Sequence, residues 1–154
     1  MAPAAGDEAG VTVDGNHPVT VGTPAAARDR FGWATREFTI RCHSGRVIEG
    51  RWSGVPLAAL VDAAAPSADT THVVVTARDG YRAAVGVAAT RQGLLGLVRE
   101  TVTVTGGSGE VYADGTPRFL GPGLDSTEAV REVARIEPVR VPPGVDPLEV
   151  AAEG

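Results

Sequence analysis

The chain holds a single cysteine, Cys42, set between Arg41 and His43 in the run FTIRCHSGR. Neighbouring cations favour the thiolate, the form that ligates metals and attacks electrophiles. Three roles therefore compete for Cys42: metal ligand, nucleophile, or small apolar filler of a core, where cysteine is often found. A cysteine–histidine dyad would need His17, His43 or His72 within hydrogen-bond reach, and none of them stands in a recognisable signature. A zinc site has no HxxxH or CxxC spacing to draw on. One cysteine also excludes an intrachain disulfide. Every basic side chain is an arginine, with no lysine anywhere, so Schiff-base chemistry is excluded.

Other candidates carry weaker signals. The GGSG at 106–109 lacks the Gly-Lys-Ser/Thr of a phosphate loop and reads as a flexible connection. GPG at 121–123 reads as a turn. Tyr81 follows Asp79-Gly80 at a hairpin tip, where its hydroxyl can donate into a neighbouring site. Trp33 and Trp52 read as packing residues.

Alternation predicts a strand over TREFTIRC, with Phe38, Ile40 and Cys42 on one face and Glu37, Thr39 and Arg41 on the other. HSG turns the chain, and RVIEGRW returns as the partner strand. VTVDGNHPVTVG predicts two short strands, and TPAAARDRF a short helix capped by Thr23 and Pro24. SGVPLAALVDAAA predicts a helix entered through Ser53 and Pro56, with Leu57, Leu60 and Val61 inward. THVVVTARDGYRAAVGV is the clearest hairpin, turning at Asp79-Gly80. AATRQGLLGLV predicts a second helix, weakened by Gly93 and Gly96. The stretch from Val102 to Ser126 reads as loop-rich with short strands at most. TEAVREVARIEPVRV predicts one helical turn and then a strand partly burying Val133, Ile136 and Val139.

Strands outnumber helices, and the helices fall between hairpins, so the class is α+β, a mixed sheet-and-hairpin domain. The 154 residues suit one domain: a small, acidic, flexible N-terminus at 1–10, a domain over 11–141, and a Pro-rich tail at 142–154. The formal charge of −5 argues against a nucleic-acid partner, which would need a basic face. No leader or membrane-length apolar run stands out, so a cytoplasmic protein without a membrane partner is expected.

The order of these pieces resembles the sulfite-oxidase-type molybdopterin-binding domain. A strand ending in Cys42 is followed by RWSGVPLAALVDAA, then VVVTARDGY, TPRFLGPG and VREVARIEPVRV. The match covers residues ~35–141, most of the chain. The resemblance implies a molybdenum centre ligated by the Cys42 thiolate, a soft donor suited to a sulfur-rich metal site. It implies oxygen-atom transfer on a small-molecule substrate, and an electron-transfer protein as partner. Arg118 and Arg131 would hold the phosphate or pterin of the cofactor, with His43, Ser44, Arg46 and Tyr81 as lesser neighbours.

Departures from the family pattern support a second reading. The family's His-Gly-x-Pro-x-Arg stands here as Asp114-Gly115-Thr116-Pro117-Arg118, and its Val-Lys-Trp as Val130-Arg131-Glu132. An aspartate would repel an anionic phosphate. The segment before the cysteine is also short. The alternative is a cofactor-free domain of the same fold, acting as a binding or interaction module.

Overall fold

The computed structural model describes residues 10–106 and 115–151. The expected strand pair appears as β1 (Val11–Val13) and β2 (Val19–Val21), and α1 (Pro24–Phe31) follows. Thr23 caps α1, its hydroxyl accepting from the Ala26 N–H at 3.1 Å. β3 (Ala34–Arg41) and β4 (Val47–Pro56) pair antiparallel over eight residues. Phe38 and Ile40 are buried while Glu37, Thr39 and Arg41 are exposed, as the alternation predicts.

α2 (Leu57–Ala64) buries Leu57, Leu60, Val61 and Ala64, one stripe at helical spacing. It begins later than expected. Ser53 stays inside β4, and Pro56, with no N–H to give the sheet, marks the change to helix. β5 (His72–Ala77) and β6 (Arg82–Gly86) form the hairpin. Its connection is a three-residue loop: the Ala77 N–H donates to Tyr81 O, the Gly80 N–H to Ala77 O, and Gly80 takes φ +95°.

The helix expected over 88–98 is replaced by a 3-10 turn (Val87–Arg91) and a long strand, β7 (Leu94–Thr105). Leu94 and Leu95 are both fully buried and pack into different clusters. A strand buried on both faces loses the alternation that would announce it. β7 also replaces the loop expected from Val102 onward, as far as Thr105. Residues 107–114, including most of GGSG and Asp114, lie outside the described residues. β8 (Arg118–Leu120) and β9 (Val133–Val139) complete the strands. Val133, Ile136 and Val139 are all buried, more deeply than expected. Between them, Asp125 and Glu128 close one turn reciprocally: the Glu128 N–H donates to Asp125 Oδ1, and the Asp125 N–H to Glu128 Oε1.

The strands form two sheets. One is mixed, in the order β2-β1-β9-β5-β6, with β1 parallel to β9; the other is antiparallel, β3-β4-β7-β8. The main core lies between the two sheets and α2. A second cluster of Phe38, Ile40, Trp52, Leu94, Leu120 and Ala129 fills the other face of the four-stranded sheet. α3 (Pro147–Ala151) lies in the Pro-rich segment. Its Leu148 and Val150 pack over Val74 and Val139 of the five-stranded sheet. Among the described residues no helix is long and apolar enough to cross a membrane.

Candidate functional site

Two hairpin loops of the same design frame the site. After β3, the Cys42 N–H donates to Arg46 O and the Gly45 N–H to Cys42 O, with Gly45 at φ +91°. The loop over Arg78–Gly80 repeats this pattern. Each is a three-residue connection that needs a left-handed glycine in third place. One loop delivers Cys42, Ser44 and Arg46, the other Asp79 and Tyr81, to a single cleft of about 820 Å³. The Tyr81 hydroxyl donates to Thr127 O at 2.7 Å, tying the β5–β6 tip to the turn that closes the cleft.

Arg118 enters from β8 and is 8% exposed. Its Nε donates to Ala129 O at 3.1 Å, and no carboxylate pairs with it among the described residues. Burial, and then the nearby Arg131, pull its pKa down to about 10; Cys42 opposes this, and Arg99 adds to the fall. Cys42, Arg131 and Arg99 therefore all act on Arg118 electrostatically. Arg131 also lines the cleft. Its stem lies where a side chain on Gly115 would stand: a Cβ there would come within 2.9 Å of Arg131 Cδ.

Cys42, Ser44, Arg46, Tyr81, Arg118 and Arg131 thus line one cavity. His43 does not. It sits in the turn with its side chain 78% exposed, 4.0 Å from Asp125 Oδ2, because the residue after an inward Cys42 is directed away from the cleft.

Two further lining residues escape the sequence. Trp52 is fully buried, with no hydrogen-bond partner for its Nε1 among the described residues, a donor at the cleft wall whose desolvation they do not compensate. Arg99 lines the cleft from β7, one residue past the helix expected over 88–98. Four arginines and two carboxylates, Asp79 and Glu132, line the cavity, so a chain of net charge −5 collects positive charge here. Such a wall suits an anion.

A second groove of about 1010 Å³ runs along β3 and the Pro122–Asp125 turn. It contains no cysteine or histidine, and its Arg36 is already bound to the Gln92 and Gly93 carbonyls.

Fold and site together define a small α+β domain with a thiol and arginines gathered in one cleft. No family model and no curated protein matches the sequence. Among solved structures the chain is similar to the sulfane dehydrogenase SoxCD from Paracoccus pantotrophus, with a TM-score of 0.68 at 16% identity. The similarity covers 92% of this chain and 40% of that one. The likeness concerns the fold alone.

Proposed function

We propose that the chain is a molybdopterin-dependent oxidoreductase-like domain, with Cys42 ligating the molybdenum. The observation that carries this reading is the convergence of Cys42 with the buried Arg118 and the exposed Arg131 on one cleft. The donor set suits the group: a thiolate offers a soft ligand, and arginine forks suit an anionic phosphate. Trp52 Nε1 adds a buried N–H in want of an acceptor. When bound, the cofactor supplies two-electron redox chemistry with oxygen-atom transfer.

The chain's own residues bind and orient. Arg118 and Arg131 hold the phosphate or pterin. Ser44 and Arg46 border the Cys42 loop, and Tyr81 closes the rim through Thr127. His43 acts only from outside, through Asp125. The substrate is a small molecule, and an electron-transfer protein takes up the electrons.

The test is the molybdenum and pterin content of the protein made in a host that assembles the cofactor. Wild type is expected to carry both. Cys42→Ser is expected to fold and lose the metal–thiolate absorption, since a hydroxyl is a harder and less acidic ligand. Wild type free of molybdenum and pterin under those conditions would sink this reading. The cofactor-free binding module would then stand in its place.

A further inference from the structure

β7 breaks its own alternation twice. Against β4, Arg51 pairs with Thr101 but Trp52 with Arg99, which leaves Glu100 over. Ser53 pairs with Val98 but Gly54 with Gly96, which leaves Leu97 over. Each shift is a bulge that reverses which face the following side chains take. The second bulge cancels the first, so the inversion is confined to Val98, Arg99 and Glu100.

The consequence lies in the cleft. Val104 and Val102 line it. Strict alternation would bring Glu100 in next and turn Arg99 to the opposite face. Between the bulges the reverse holds: Arg99 lines the cleft and Val98 is left 39% exposed. Exposing an apolar side chain is unfavourable, so the inversion needs something to hold it.

Glu100 meets a polar chain on the opposite face. Ser53, 3% exposed, donates its hydroxyl to Glu100 Oε2 at 2.8 Å. With that proton committed, Thr35 is the donor in its 2.7 Å contact with Ser53 Oγ. The chain thus crosses β3, β4 and β7 behind Trp52.

We propose that Ser53 and Glu100 are positioning residues: their hydrogen bond pins the bulge that turns Arg99 rather than Glu100 into the cleft, and so sets the sign of charge a ligand meets. Without the pin the same sequence would offer a carboxylate where the cleft now offers a guanidinium. An anionic ligand is admitted and a cationic one rejected. This deepens the anion-binding reading of the cleft and takes its purpose from it, but its test needs no bound cofactor.

Cys42 is the reporter, being the only cysteine and a cleft residue. The full chain, made in a host that does not assemble the pterin, is treated with two methanethiosulfonates, one with a sulfonate tail and one with a trimethylammonium tail. The thiolate forms a mixed disulfide with either, and methanesulfinate leaves. The ratio of the two rates reads the local charge. Wild type is expected to favour the anionic reagent, and Arg99→Ala to lower that ratio by about three- to tenfold. Glu100→Ala should lower it similarly, although loss of a carboxylate by itself would raise it. Glu100→Gln keeps an acceptor for Ser53 and should leave the ratio at or above wild type. Ser53→Ala should lower it further than Glu100→Ala, because the intact Glu100 carboxylate then turns into the cleft.

A higher ratio in Glu100→Ala than in wild type would overturn the pin. An unchanged ratio in Arg99→Ala would overturn the role of Arg99. Glu100 is exposed, so its variants should fold even if Ser53→Ala does not. An absence of molybdenum in the separate loading experiment would leave these ratios untouched.

Discussion

Replacing Arg118 by methionine should stabilise the protein while weakening anion binding. The guanidinium is 8% exposed and its pKa is pulled down from the usual arginine value to about 10, first by burial and then by Arg131. That fall is worth roughly 3 kcal/mol, at 1.36 kcal/mol per tenfold change in proton affinity. Methionine fills similar space without charge, but leaves the Ala129 carbonyl without its 3.1 Å donor. Losing that bond costs about 1–2 kcal/mol. The net gain is then about 1–2 kcal/mol, in the range seen when buried charges give way to apolar side chains. For a chain of this size that is a rise in Tm of roughly 3–6 °C. Thermal melts by circular dichroism at neutral pH would measure it.

The direction with pH is also determined. In the folded state Arg118 releases its proton first, so above about pH 10 the unfolded chain binds more protons than the folded one. The burden on wild type therefore lightens there, and the advantage of the variant should shrink. Pyrophosphate should raise the Tm of wild type by binding the folded state and should raise that of Arg118→Met much less. A variant that melts several degrees below wild type would refute the reasoning, since it would mean that the charge is compensated in the fold.

Other positions give simpler tests. Gly54→Ala would set a Cβ 2.0 Å from the Leu95 carbonyl oxygen; backbone cannot yield as a side chain can, so a loss of about 3 kcal/mol or more is expected by urea denaturation. Trp52→Phe should cost less than about 1.5 kcal/mol, because removing the unpartnered Nε1 offsets lost packing, whereas Trp52→Ala should cost about 3–5 kcal/mol. The Asp125 carboxyl is held below its usual value by the Thr127 hydroxyl, by the Thr127 and Glu128 N–H groups and by His43. Its stabilising effect is therefore complete above the ordinary carboxylate range and is lost as pH falls through the lowered value. Asp125→Asn should show a shallower fall of the urea midpoint in acid than wild type does.

Local signals were enough for much of the frame. The alternation of Phe38, Ile40 and Cys42 against Glu37, Thr39 and Arg41 specified one strand and the side on which the thiol would lie. Asp79-Gly80 marked a turn because glycine tolerates the positive φ found there. Thr23 and Pro24 marked a helix start for equally local reasons. These features depend on a few adjacent residues, so a window of sequence contains their cause.

The remaining features depend on distant partners. Leu94 and Leu95 became strand because two separate cores claim them, and nothing within GLLGLV distinguishes that from a buried helix. Ser53 became a buried link in a sheet rather than a helix start because Thr35 and Glu100 meet it from other strands. Arg99 entered the cleft through two offsets in the β4–β7 register. Register belongs to a pair of strands, not to either one, and a shift of one residue exchanges a guanidinium for a carboxylate. The sequence alone determined that this protein has a thiol at a strand end and arginines at Arg118 and Arg131. Only the tertiary structure decided that they share one cleft, and that Arg99 joins them there.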